Sequence, residues 1–217
     1  MPFIFCRVVL WAVLQKNLDF LYTYRYIYCM DKKEEILKNA LTLFSKEGYD
    51  NVGIQRIVAA AEVTKPTLYY YFGSKNGLLQ TLLDTYFGPF LKALETSAHY
   101  QGDLPLTLEK IAVTFFGFAG EHKEFYRIVL ALMFAPEKSE GFLTAFKIVQ
   151  EEYRILESVF KQAEADHGNM KGRSKNYAVT FLGMLNSYIS LYLTTGEKPT
   201  KPGIYEICRQ YMYGIFS

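Results

Sequence analysis

The stretch Val63 to Lys75, VTKPTLYYYFGSK, crowds hydroxyls, phenols and ammonium groups together. On a helix, consecutive side chains fan out about 100° apart, so Tyr69, Tyr70 and Tyr71 cannot share one core. Thr64 is placed to accept a backbone N–H as an N-cap, and Pro66 falls in the first turn, where a missing N–H costs nothing. Gly73 ends the turn pattern. Leu68 and Phe72, one turn apart, face inward, and Tyr71 falls back toward them. Tyr69, Pro66 and Tyr70 then lie opposite, with Lys65 and Thr67 on the flanks. A solvated face normally carries Lys, Glu and Gln. This one offers groups that donate to phosphate oxygens, and a threonine methyl that can meet a thymine methyl in the major groove.

Other chemistry is sparse. His99, His122 and His167 stand singly without metal-ligand spacing, there is no Gly-rich phosphate loop or nucleophile elbow, and the acidic residues read as solvated helix faces. No catalytic residue, metal or cofactor is therefore expected, and an enzyme is the disfavoured class. Cys6, Cys29 and Cys208 are far apart and lack a Cys-x-x-Cys pair, which fits a reducing cytosol, with Cys208 read as a small apolar side chain.

The chain has 217 residues, is 50% hydrophobic and 21% charged, and carries a net charge of +2, a composition that argues against disorder. Between Met30 and Leu79, seven Lys or Arg face six Asp or Glu, so DNA binding has to rest on motif and geometry. No run reaches the ~18 apolar residues of a membrane span; a cytoplasmic protein without a membrane partner is expected.

The elements that must position the hydroxyl-rich stretch are helical. Ile36, Ala40, Leu43 and Phe44 repeat at helical spacing, so a first helix is expected over about 32–46, stopped at Gly48. A short second helix runs from about Ile54 to Ala61 with Ile57, Val58 and Ala61 inward. The third spans Lys65 to about Phe72, and Ser74 caps a fourth carrying Leu78, Leu79, Leu82 and Leu83. Two short helices joined by a tight connection after a longer one make a helix-turn-helix. A plain bundle with short structural helices has the same period; the outward face separates the two. Residues 1–29 differ in character and read as an upstream extension, because Met30 is followed by a charged first turn.

At this point the sequence resembles the DNA-binding domain of the tetracycline-repressor (TetR/AcrR) family of bacterial regulators. The resemblance runs over ILKNALTLFSKEGYDNVGIQRIVAAAEVTKPTLYYYFGSKNGLL and rests on an ordered set of motifs. Position by position, it implies DNA contacts at Gln55 and Arg56 on the second helix and at Thr64, Lys65, Pro66, Thr67, Tyr69, Tyr70 and Lys75. Thr64 and Lys75 would anchor phosphates at helix N-termini; Gln55, Lys65 and Thr67 would reach base edges. Three departures stand out: Glu62 where the family often has Gly, Pro66 in the recognition helix, and Gly53 in place of a Ser or Thr cap. Glu62 is tolerable if its backbone is unstrained.

The fold expected is all-α: a three-helix helix-turn-helix domain at 30–79 and a C-terminal helical bundle at 80–217 that dimerises and binds an effector. Asn176 to Thr195 reads as a helix apolar on almost every side, which needs cover all round, and Ile204 to Phe216 as a last striped helix. The expected two-fold interface draws on Phe181, Leu185, Tyr188, Tyr192, Ile207, Tyr211 and Ile215. Phe115, Phe116, Phe118, Tyr126, Met133, Phe134, Phe146 and Tyr153 are candidates to line an apolar effector cavity. Gly88 and Pro89 interrupt the fourth helix; a kink there would change the spacing of two recognition helices that must sit about 34–36 Å apart. The expected function is a homodimeric transcriptional regulator, a repressor that binds a palindromic operator and is released by a small lipophilic or aromatic molecule. The alternative is an architectural helix-turn-helix protein without an effector.

Overall fold

A computed structural model describes residues 32–214, so the expectations for residues 1–29 and for Ile215 lie outside the described residues. Among these, every regular element is a helix. They are α1 (32–47), α2 (Ile54–Ala60), α3 (Lys65–Phe72), α4 (Lys75–Ser97), α5 (Leu104–Glu121), α6 (Lys123–Met133), α7 (Glu140–Ala163), α8 (Ser174–Thr195) and α9 (Lys201–Tyr213), with one 3-10 turn (Gly168–Met170) before α8.

The starts of these helices follow from local chemistry. Side chains of Thr64, Ser74, Asp103, Ser139 and Thr200 accept N–H groups of the first turns of α3, α4, α5, α7 and α9, satisfying donors that have no intrahelical partner. Proline in the first turn of α3, α5 and α9 costs no hydrogen bond. Gly53 caps α2 without a side-chain bond, as its lack of a hydroxyl requires.

Ile36, Ala40 and Phe44 of α1 are buried with Ile57, Val58, Ala61, Leu68 and Phe72, which fixes the three short helices as one unit. Gly77 sets the angle between α3 and α4, because a Cβ there would fall on the carbonyl oxygen of Phe72. In the C-terminal half α7 packs along α4, α6 and α8, and α5 packs along α4, α8 and α9. Phe87, Phe90, Phe115, Phe118 and Phe125 form a continuous ring cluster where α4, α5 and α6 meet, with centroids 4.4–6.3 Å apart. α4 is unbroken through Gly88 and Pro89: the proline removes one backbone bond, and packing on both sides holds the helix across the gap.

Two expectations are revised here. α8 has its inner face taken by α5, α6 and α7: Phe181, Leu185 and Tyr192, with Ile207 of α9, are buried inside the single chain. Tyr188 and Tyr211 are half-buried, bonded to Gln210 and to the Tyr177 carbonyl. The outward stripe of α8 is instead Val179, Gly183, Ser187, Ser190 and Leu191, beside exposed Tyr205 and Tyr213 of α9.

The second revision concerns Glu62, whose φ of 49° makes it the one non-glycine with a left-handed backbone among the described residues. That region costs an L-residue about 1–2 kcal/mol. Glu62→Gly should therefore raise unfolding stability by about 1 kcal/mol, net of the greater freedom glycine has when unfolded; urea unfolding at fixed protein concentration measures it, and an unchanged or lower midpoint contradicts the strain.

Candidate nucleic-acid interface

Burial of Leu68 and Phe72 orients α3, and with it everything the helix shows outward. Tyr70 is 80% exposed and Tyr69 47%, while Tyr71 is half-buried against the core, its ring 5.1 Å from Tyr70 and 6.1 Å from Phe72. Lys65 and Pro66 are exposed and Thr67 is half-buried. The Thr64 hydroxyl accepts the Thr67 N–H at 3.4 Å and lies 2.9 Å from the Thr67 hydroxyl. This cap leaves the hydroxyl pair at the helix N-terminus, where the backbone dipole favours an anion.

On α2, Gln55 and Arg56 are exposed, and Arg56 forms a 2.8 Å ion pair with Glu47. Such a surface pair is weak, ~0–1 kcal/mol, so a phosphate can compete for the guanidinium. Lys75 differs from a free phosphate anchor. It is half-buried, its ammonium 4.2 Å from the Tyr49 ring centroid, and desolvation lowers its pKa.

Tyr49 is also where this unit joins the rest of the chain. Its ring packs edge-on to Phe44 at 5.1 Å, and its hydroxyl donates to Glu140 at the start of α7 at 2.9 Å. Burial and the Glu140 charge both hold the phenol protonated. A Cβ on the neighbouring Gly141 would stand 2.9 Å from Tyr49 and 2.7 Å from Leu132, so the glycine permits this approach. Thr144 adds a bond to Asn76 of α4 at 2.7 Å. α7 is thereby clamped to the α1–α2 connection and to the N-terminus of α4.

The sequence pattern of "Bacterial regulatory proteins, tetR family" matches residues 36–82, the span that builds this outward helix and its supports. Over those residues the chain carries the tetR-family pattern. Outside that span the likeness is weaker. The HTH-type transcriptional regulator YerO of Bacillus subtilis (strain 168) is 23% identical over 170 residues, covering 77% of this chain and 58% of YerO. IcaR of Staphylococcus aureus (strain Newman), named a negative transcriptional regulator of the biofilm operon icaADBC, is 40% identical over 48 residues, 22% of this chain and 26% of IcaR. The FadR structure from Bacillus subtilis in complex with stearoyl-CoA superimposes with a TM-score of 0.69 at 17% identity, covering 84% of this chain and 98% of that one. The same fold, an N-terminal helix-turn-helix on a C-terminal helical domain, thus extends over nearly the whole described chain. Among the described residues, no helix is long and apolar enough to cross a membrane.

The residues expected at an effector cavity are not gathered in one chamber. Phe115 and Phe116 are fully buried, and Tyr126 is buried 6.2 Å from Phe118, which is half-buried and lines a cleft of about 490 Å³ between α4 and α5 with Tyr86, Pro89 and Phe90. Met133, Phe146 and Tyr153 are half-buried; Phe146 stacks on Phe142 at 5.3 Å. Phe134 departs altogether: as the C-cap of α6 it points off the helix end and is 89% exposed. A second cleft, about 530 Å³, lies between the start of α5 and α7, α8 and α9, lined by Phe160, Tyr177 and Tyr211 among others.

Sequence reasoning also passed over Glu152. Far from a solvated face, it is 5% exposed in the middle of α7. It belongs to the stripe Ala145, Val149, Glu152, Leu156, Val159, all buried, a helical spacing visible in the sequence. Burial pushes its carboxyl up to about 8, well above the ordinary value of 4.5. The sign follows: the folded state holds a proton that the unfolded chain releases, so the stability this provides is complete below about pH 4.5 and is lost as pH rises to about 8. Relative to Glu152→Gln, the native chain should lose on the order of 1 kcal/mol per pH unit across that window; parallel urea titrations from pH 5 to 8 test this, and two parallel stability profiles contradict it.

Proposed function

We propose that the chain is a homodimeric repressor that binds a palindromic operator through α3 and lets go when a small lipophilic or aromatic molecule occupies its C-terminal half. The observation that carries this is the uncovered α3 face: Tyr69, Tyr70, Lys65 and Pro66 are exposed on a helix whose opposite side is fully buried. A large phenol in open water gains nothing from packing, whereas on a phosphate backbone it donates a hydrogen bond. Gln55, Lys65 and Thr67 would read base edges, and Arg56, Thr64, Tyr69, Tyr70 and Lys75 would hold phosphates, Lys75 at the edge of its Tyr49 contact. Repression draws support from the negative regulator IcaR and ligand response from the stearoyl-CoA complex of FadR.

A palindrome requires a two-fold protein, and the surface offered for it is the open stripe of α8 with α9: Val179, Leu191, Tyr205 and Tyr213. Gly183, Ser187 and Ser190 between them would let two copies of α8 approach closely. Effector occupancy would be felt at the recognition helix through two unbroken rods. α4 follows α3 directly, and α7 carries its clamp on Tyr49 and Asn76 at one end.

Operator affinity should fall steeply with salt, since phosphate contacts dominate. In a gel-shift titration at fixed salt, Lys65→Ala/Tyr70→Ala should weaken binding at least a hundredfold, while Tyr70→Phe weakens all sequences alike; unchanged binding by the double variant overturns the assignment of α3. Leu191→Glu should give monomers by light scattering and lose binding to the palindrome while remaining folded. A dimer that binds as before would remove α8 from the interface.

A further inference from the structure

We infer that the cleft between the start of α5 and the ends of α7 and α9 is the effector site, and that its ligand is an uncharged, flat aromatic molecule with a hydroxyl or keto oxygen at one edge. The inference rests on the ligand-responsive reading above and gives it a place and a chemical class.

The cleft encloses about 530 Å³, inside the range of about 300–1,000 Å³ that takes drug-sized molecules. Its wall is a set of rings held by their neighbours. Phe160 of α7 is buried, with its centroid 5.7 Å from Tyr177 of α8 and 6.3 Å from Tyr211 of α9, and all three line the cleft. Tyr211 packs 5.0 Å from buried Phe181 and donates its hydroxyl proton to the Tyr177 carbonyl at 2.8 Å. The wall is therefore fixed before anything binds, and a flat ring system can stack on it at little cost in ordering.

The free polar groups come from one connection. His167 and Asn169, beside and within the 3-10 turn before α8, line the cleft, and neither side chain has a hydrogen-bond or ion-pair partner among the described residues. The Thr180 hydroxyl, also on the lining, is spent on the Asn176 and Tyr177 carbonyls of its own helix. An imidazole and a primary amide offer donors and acceptors together, which suits an oxygen at the edge of the ligand.

The lining also selects against charge. Among the described residues that form it there is no aspartate, glutamate, lysine or arginine. Asp166, Lys171 and Arg173, close by in sequence, are exposed, and Asp166 accepts the Tyr100 hydroxyl at 2.7 Å. A carboxylate or an ammonium would give up water against these rings with no opposite charge to receive it, whereas a neutral ring system gains by leaving water. The α4–α5 cleft differs on this point, since Glu121 lines it.

Occupancy here reaches both moving parts of the proposed regulator. Phe160 lies near the end of α7 opposite Glu140, about 30 Å along the rod, and the Glu140 end carries the Tyr49 clamp. Tyr213 lines the cleft and is also exposed in the surface offered to a second copy. A ligand seated here would press on the end of α7 and on the seam between protomers.

The test uses the full chain and four probes built on one ring system, pyrene, 1-pyrenemethanol, 1-pyrenecarboxylate and 1-pyrenemethylammonium, followed by fluorescence anisotropy at pH 7. The alcohol should bind at least tenfold more tightly than either charged probe and severalfold more tightly than pyrene. Thr180→Trp, which fills the cleft from an exposed position, should abolish that binding with its circular dichroism unchanged. Gly117→Leu, which fills the α4–α5 cleft where a Cβ would meet no atom within 4 Å, should leave it as it was. His167→Phe/Asn169→Ala should bind the alcohol and pyrene alike. A charged probe that binds as tightly as the alcohol, binding that survives Thr180→Trp, binding lost in Gly117→Leu, or no binding of any probe overturns the inference. Operator affinity is scored separately by gel shift and should fall at least tenfold with the alcohol bound; bound alcohol without that fall removes the cleft as the effector site. A chain that takes up the alcohol as described but binds no operator keeps the site and its ligand class, and it is the regulator reading that fails.

Discussion

Much of the architecture hangs on the Tyr49 side chain. Its ring faces Phe44 on one side and takes the Lys75 ammonium on another, its hydroxyl is fixed to Glu140, and Gly141 leaves room for it against Leu132. One aromatic residue in a connecting loop thus holds α1, the start of α4 and the start of α7 together. Because α3 is spliced to α4 through Gly73 and the tight seat of Gly77, whatever fixes the N-terminus of α4 also fixes the recognition helix. The orientation of the outward side chains of α3 is therefore set from the C-terminal half as much as from the N-terminal helices.

The proposed recognition face carries little charge. The chain carries a net +2, Arg56 is shared with Glu47, and the Lys75 ammonium rests on an aromatic ring. What remains on α3 is phenols, hydroxyls and Lys65, groups that position a backbone by hydrogen bonds more than by field strength. Specificity then depends on how firmly the helix is held, since short-range donors lose their partner with a shift of an ångström. That gives a rigid junction at Tyr49 a direct bearing on affinity.

The N-terminal helices were legible because periodicity, caps and stops all point the same way there: Thr64, Pro66, Gly73 and Ser74 each act locally, and the burial of Leu68 and Phe72 follows from spacing alone. The C-terminal half was legible as helices but not as faces. A helix rich in apolar residues on all sides, such as α8, does not say which side its own chain covers, and Phe181 and Leu185 proved to be core while Leu191 is exposed. Glu152 was missed although it sits on an apolar stripe, because a lone acid among apolar residues reads as a solvated edge unless the neighbouring helices are known. Phe134 shows the converse: an aromatic after a helix end has no periodicity to place it.

The central claim, that two copies of α3 read a two-fold operator, is tested most directly by selecting duplexes from a randomised pool with the full-length protein and mapping guanine protection on the winners. The account predicts an inverted repeat with two protected major-groove patches on one face, about 34–36 Å apart. Enrichment of a single unrepeated site, or no enrichment at all, would contradict it.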